Sequence, residues 1–279
     1  MSTYDCKPTL TDSQVLEFCR SGHLMLEGVV PDEINRKTVA WLDEMHASGL
    51  GRSEAVKLLD EDWFSTFVMN NAQASGALRS LLGANYGEPD WLTFFRGEGK
   101  QPSGQWHIDG GSTFSPRTSL VKWFYHPTEV TVDMGPTEFV RGSHHAFNQV
   151  RFMAHYGSIR GCWKASAPAG SIYLTAYPLW HRRAASTRDA IRYMLTTSIH
   201  RNTSPIRDWV REPDFDARTV NYQLDSPRFG EQFRSAVDVA RMYFWLCGRE
   251  DDFHKADGPG WPMPCPAGRA WSDAPTDTG

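Results

Sequence analysis

The chain has 279 residues, 40% hydrophobic and 22% charged, a globular composition rather than that of a disordered protein. With 29 basic and 33 acidic residues the net charge is −4, which gives no basic field for nucleic acid, and no apolar run reaches the ~20 residues that span a bilayer. The five cysteines are scattered and form no CxxC pair, which argues against a zinc ribbon or a disulfide framework and for reduced thiols in a cytoplasmic protein.

The opening "MSTYDCKPTLTDS" is polar and lacks the apolar stretch of a signal peptide. Thr11 followed by Gln14 reads as a capping box, opening a helix with Val15, Leu16 and Phe18 on its apolar face and a stop near Gly22. "HLMLEGVV" then reads as a short strand. Pro31 and Asp32 suit the unsatisfied N–H groups of a second helix running to about Met45, and a further helix is expected around residues 75–82.

From Trp91 the texture changes. "DWLTFFRG", "SGQWHIDGG", "TSLVKWFYH", "TEFVRGSHH", "SIYLTAYPLWH" and "AIRYMLTTSIHR" are short β-rich runs separated by turn residues, the pattern of an antiparallel sandwich or barrel. A helix follows over about 228–246, with Gly248 at its end and an irregular Pro- and Gly-rich tail beyond. No repeat or linker divides the chain. The expectation is a single domain over 1–279, with a β core at about 90–200, a helical portion at 11–85 before it and one helix after it.

The chemistry concentrates in "GQWHIDGGST", residues 104–113. On a strand His107 and Asp109 would share one face, with Trp106 and Ile108 on the other. Two buried polar side chains need partners, and a divalent metal satisfies both. Two histidines with one carboxylate form the facial set of non-haem Fe(II) oxygenases, so a further histidine is required. His181, ending "SIYLTAYPLWH", is the best candidate, in competition with His126, His144 and His145, whereas His200 ends a strand too late.

In order along the chain, these residues resemble the phytanoyl-CoA dioxygenase-like branch of Fe(II)/2-oxoglutarate-dependent oxygenases. "EFCRSGHLMLEGVVP" is similar to the family's opening helix and strand, "WHID" to its H-x-D pair, and "DMGPTEFVRGSHH" to its turn and following strand, with Arg141 where proline is usual. "PAGSIYLTAYPLWHRRAASTRDAIRYML" resembles the segment that carries the distal histidine and, eleven residues later, an arginine. The likeness covers residues 11 to about 200.

The resemblance implies a mainly β fold: a double-stranded β-helix (jelly-roll, cupin-like) core with flanking helices. It also implies Fe(II) on His107, Asp109 and His181, with 2-oxoglutarate and O2 consumed as a small organic metabolite is hydroxylated or otherwise oxidised at a C–H bond. Arg192 takes the place of the arginine that meets the distal carboxylate of 2-oxoglutarate, and a guanidinium fork suits that carboxylate; Arg188 is its fallback. Gln105, Thr137, Trp123 and Tyr125 are further expected cosubstrate contacts. Retention of Asp109 favours oxygenation over halogenation.

Substrate-facing features are thinner. "EDWFSTFVMNN", residues 61–71, is read as part of a lid, and Arg182 and Arg183 as groups that either meet an anionic substrate or are solvated. "YFWLCG" is read as lid or as the surface of a homodimer. Two other classes compete: a non-oxidative cupin-like isomerase or hydrolase using Zn or Mn, and a catalytically silent small-molecule binder. In either, Arg192 has no cosubstrate to hold.

Overall fold

A computed structural model of the chain describes residues 6–111, 116–145, 155–217, 220–224 and 229–250. Helix α1 (Asp12–Ser21) starts on the expected capping box: Thr11 Oγ1 accepts from the Gln14 amide while the Gln14 side chain accepts from the Thr11 amide. Gly22, at φ 79°, ends it in the left-handed conformation that glycine adopts without steric cost. Strand β1 (His23–Leu26) and helix α2 (Asp32–Ala47) follow, with Asp32 and Glu33 in the first turn of α2, where carboxylates offset the helix dipole.

Residues 61–71, read as part of a lid, prove helical, a turn at Asp62–Phe64 running into a π-turn at Ser65–Met69. They are preceded by a 3₁₀ stretch, Arg52–Asp60, that sequence periodicity does not reveal. Helix α3 (Ala72–Leu82) is capped by Asn71, whose side chain accepts from the Gln73 and Ala74 amides.

The strands that follow are β2 (Thr93–Glu98), β3 (Leu120–His126), β4 (Thr137–Phe139), β5 (Trp163–Lys164), β6 (Ser171–Ala176), β7 (His181–Arg183) and β8 (Ile191–His200). They form two sheets in which every strand pair is antiparallel: a larger one of order β1-β6-β3-β8-β2 and a smaller one of order β5-β4-β7. "SIYLTAYPLWH" is thus two strands, broken at Tyr177–Trp180, and each half enters a different sheet. Helix α4 (Phe229–Leu246) packs against α1. Residues 251–279, read as a tail, lie outside the described residues.

Strand periodicity gives the large sheet two different faces. On one, Val121, Trp123, Tyr125, Ile172, Leu174 and Leu195 join the apolar cluster formed with α1 to α4. On the other, Phe124, Tyr173 and Met194 pack with Phe139 and Ala165 of the small sheet and its margin. The helices therefore back the large sheet and leave the space between the sheets to a second, smaller apolar cluster beside which the polar site lies. Tyr243, Phe244 and Leu246 of "YFWLCG" are buried in the first cluster, so they serve as core rather than as an exposed docking face. Among the described residues no helix is long and apolar enough to cross a membrane.

Candidate metal centre

His107 and Asp109 do not share a strand. His107 forms an isolated antiparallel bridge with His181: each backbone N–H donates to the other residue's carbonyl at 3.0 Å. Asp109 opens a single 3₁₀ turn, Asp109–Gly111. Gly110 makes this turn with φ 61°, and a Cβ there would lie 2.6 Å from Tyr177 Oη, so both the backbone and the close ring require glycine.

The bridge sets the two imidazoles side by side, their centroids 4.3 Å apart. One ligand atom from each of His107, Asp109 and His181 lies within 4.8 Å of the others. Both histidines are oriented by backbone: His107 Nδ1 is 2.9 Å from the Gln105 carbonyl and His181 Nδ1 is 2.9 Å from the Leu179 carbonyl. A carbonyl only accepts, so Nδ1 carries a proton in each ring and Nε2 is the atom that would meet a metal. His181 Nε2 lies 3.7 Å from Asp109 Oδ2.

The electrostatics keep Asp109 and His181 in their ligating forms. Burial pushes the Asp109 carboxyl up, but His181, Lys122 and His107 outweigh it and hold the group below the usual aspartate value. Burial lowers His181 to about 4, against the pull of Asp109, so its imidazole is neutral at pH 7. Of the other histidines, His126 is fully buried, His144 and His145 sit in a 3₁₀ turn bonded to the Cys19 carbonyl, and His200 is exposed at the end of β8.

The three donors open into a cavity of about 410 Å³ that Arg192, Thr137, Phe124, Lys122 and Met194 also line. Arg192 is 4% exposed, and among the described residues its Nε and Nη1 have no hydrogen-bond partner. Burial lowers its pKa, an effect that Tyr173 opposes and Arg183 reinforces. A buried cation in that condition is costly unless an anion meets it. Thr137 is buried in the same cavity, where its Oγ1 accepts from Tyr173 Oη at 3.2 Å.

The remaining expected contacts are not brought together with these. Trp123 and Tyr125 are fully buried on the opposite face of β3, where Tyr125 Oη donates to Asn35 Oδ1 at 2.6 Å. Their neighbours Lys122 and Phe124 occupy the cavity face instead, because side chains alternate along a strand. The Gln105 side chain is exposed and off the cavity wall; its contribution is the carbonyl that orients His107, and Gln101 lines the cavity. Residues 61–71 do not border this cavity; Arg52, from the preceding 3₁₀ stretch, does.

No family model matches the chain, and no curated protein matches it by sequence. Solved structures do match its fold. HygX from Streptomyces hygroscopicus, solved with nickel and 2-oxoglutarate bound, superposes with a TM-score of 0.57 at 14% identity, covering 72% of this chain and 90% of that one. The non-haem α-ketoglutarate-dependent epimerase SnoN from nogalamycin biosynthesis gives 0.53 at 17% identity over 67% and 81% of the two chains. The carbocyclase SnoK from the same biosynthesis gives 0.55 at 16% identity over 75% and 90%. This chain shares their fold. It is a mainly antiparallel β architecture with flanking helices, and the His-Asp-His cluster lies in the cavity beside its two sheets.

Proposed function

We propose that this protein is a non-haem Fe(II)- and 2-oxoglutarate-dependent oxygenase, of the phytanoyl-CoA dioxygenase-like kind, that oxidises a C–H bond of a small organic molecule. The double-stranded β-helix is read as its core and the whole described chain as one catalytic domain. The observation that carries the proposal is the pairing, within one cavity, of a His107/Asp109/His181 donor set with the buried guanidinium of Arg192, whose Nε and Nη1 have no partner among the described residues.

The donor set fits iron: two imidazoles whose Nδ1 atoms face backbone carbonyls and one carboxylate held ionised, on one side of a site open to small ligands. Iron held there by His107, Asp109 and His181 would supply O2 activation, with O2 as the oxidant and 2-oxoglutarate and the substrate each giving two electrons as succinate and CO2 are released. Arg192 would receive the distal carboxylate of 2-oxoglutarate, which would make its buried charge one half of a charge-assisted pair. Thr137, whose hydroxyl accepts from Tyr173 and donates to Met194 Sδ at 3.5 Å, would turn its proton from that weak acceptor to the same molecule. Phe124 and Met194 would exclude water from the reacting centre. The binding of nickel with 2-oxoglutarate by HygX and the cosubstrate dependence of SnoN support the reading.

Anaerobic addition of Fe(II) and 2-oxoglutarate tests it: the expected result is a visible charge-transfer band, followed by succinate release when O2 and a metabolite extract are admitted. Absence of both overturns it. Mass spectrometry of the consumed metabolite reads the reaction type. Gain of one oxygen supports hydroxylation, whereas loss of two hydrogens or an unchanged mass points to the ring closure or epimerisation named for SnoK and SnoN.

A further inference from the structure

The sequence draws attention to two adjacent arginines, and the fold separates them. Arg182 borders the cavity but is already matched: its guanidinium pairs with Glu138, both side chains 8% exposed, and stacks 4.5 Å from the centre of the Trp106 ring. Arg183, on the same strand face as His181, pairs in register with Thr137 and lines the cavity. One of its Nη atoms donates to the Pro102 carbonyl at 2.6 Å, which leaves the other N–H groups of the fork for a ligand. A second cation comes from outside the sheets. Arg52, exposed at the start of the 3₁₀ stretch that packs on β2, sets its guanidinium 5.1 Å from the centre of the Phe95 ring, and both residues border the cavity.

The charge balance of this cavity is one-sided. Among the described residues no carboxylate pairs with Arg52 or Arg183, while Lys122 is already paired with Asp109. A 2-oxoglutarate held by Arg192 would satisfy that one guanidinium. Arg183 and Arg52 would remain, and Arg183 repels Arg192 as long as nothing anionic lies between or beside them. A partly desolvated cavity with two unmatched guanidinium groups concentrates anions and rejects cations and neutral isosteres. Phe95 and Phe124 give it apolar walls.

We propose that the molecule oxidised here is an organic anion, its carboxylate or phosphate group held by Arg183 and Arg52 and its apolar part lying against Phe95. The proposal rests on the reading of function above for the assignment of Arg192 to the cosubstrate.

The test uses full-length protein loaded with Ni(II) and saturating 2-oxoglutarate, which binds without turnover, titrated calorimetrically with four probes. These are phenylacetate and benzyl phosphate, and their neutral counterparts phenylacetamide and benzyl alcohol. Each anion is expected to bind at least about tenfold more tightly than its neutral counterpart, the ratio a charge-assisted pair supports. Arg183→Ala and Arg52→Ala are each expected to remove about that ratio and leave 2-oxoglutarate affinity unchanged, with Arg183→Lys restoring part of it. The stronger of the two anions tells carboxylate from phosphate. Equal binding of neutral and anionic probes, no binding of either anion, or retention of the preference in both alanine variants would overturn the proposal. So would an Arg183→Ala protein that loses 2-oxoglutarate instead, since Arg183 would then belong to the cosubstrate. If wild-type protein takes up neither nickel nor 2-oxoglutarate, it is the functional reading that fails. The same titrations on metal-free Arg192→Ala protein, with and without Arg52 and Arg183, then decide the anion site by the same criterion.

Discussion

Lys122 Nζ lies 2.7 Å from Asp109 Oδ2, so the one carboxylate of the candidate metal centre is already shared with a cation that enters from the middle of the large sheet. The ammonium also sits 5.2 Å from the centre of the Trp91 ring and 5.9 Å from that of Tyr177, an aromatic surround that suits a positive charge. The pairing keeps Asp109 ionised, and it places a like charge next to any metal bound there. Two unit charges 4 Å apart repel by about 4 kcal/mol at an effective dielectric of 20. Lys122→Met, which keeps the bulk but removes the partner that orients Asp109, is expected to tighten divalent-metal binding by at least about tenfold, a lower bound on the repulsion removed. Titration with Co(II) or Ni(II) measures this; weaker binding would mean that orienting Asp109 outweighs repelling the metal.

Ligand removal should act in the opposite direction. His107→Ala deletes one of three donors, and since changes merely in the groups behind a ligand cost about 10- to 100-fold in affinity, the loss here should exceed that range. Metal analysis of protein dialysed against limiting Fe(II) or Ni(II) reads it directly. Near-wild-type stoichiometry would remove His107 from the ligand set.

Arg192 should show a trade between stability and binding. Its Nε and Nη1 are buried without a partner among the described residues, so Arg192→Met is expected to stabilise the ligand-free fold by about 1–3 kcal/mol, the cost of an unsatisfied buried group. The same change should abolish the rise in melting temperature that 2-oxoglutarate gives the metal-loaded protein. Thermal unfolding with and without cosubstrate separates the two effects; a destabilised variant that still responds to 2-oxoglutarate would contradict both.

Acid should weaken the fold through its buried histidines. Burial lowers His23 and His145 to about 4 and His126 to about 3, and lowers His144 well below its ordinary value. In the unfolded chain these groups titrate near pH 6.5 (about the free-histidine value), so below that pH the unfolded state binds protons that the fold refuses. Their contribution is whole above about pH 6.5 and is lost progressively as the pH falls toward 4, each unit of depression being worth about 1.4 kcal/mol. Urea unfolding from pH 7.5 to 4.5 should show this decline. His145→Gln, which keeps a polar side chain with little tendency to ionise, should flatten it.

The helices were legible because their signals are local. The Thr11–Gln14 box and Gly22 mark both ends of α1, and those residues make the cap bonds themselves. His107, Asp109, His181 and Arg192 were legible for a different reason: a recurring order of short motifs. His107 and Asp109 do not alternate along a strand, because His107 is a single bridge to His181 and Asp109 already opens the turn that Gly110 allows. The phase of β3 was not legible from apolarity. "LVKWFYH" is buried on both faces, so its aromatics carry no alternation, and Trp123 and Tyr125 read as well as Phe124 for a cavity position. Its charge carried the missing signal: a lysine inside a doubly covered strand must point toward whatever polar space exists, and Lys122 fixes the phase for Phe124. Gln101 and Arg52 come from irregular or 3₁₀ segments, where no period exists to read.

The reciprocal hydrogen bonds between His107 and His181 have a thermodynamic consequence. The stretch from Gln101 to His107 is tied to the small-sheet margin by a sparse row of backbone contacts, at Gln101–Ser186, Gly104–Arg183 and His107–His181. An ion held by both imidazoles would act as a cross-link across the last of these rungs, closing a long loop as a disulfide does. The energy of loading the centre and the energy of zipping this edge would then be one quantity, and slowed amide exchange at Gln101, Gly104 and His107 would report metal occupancy without any turnover.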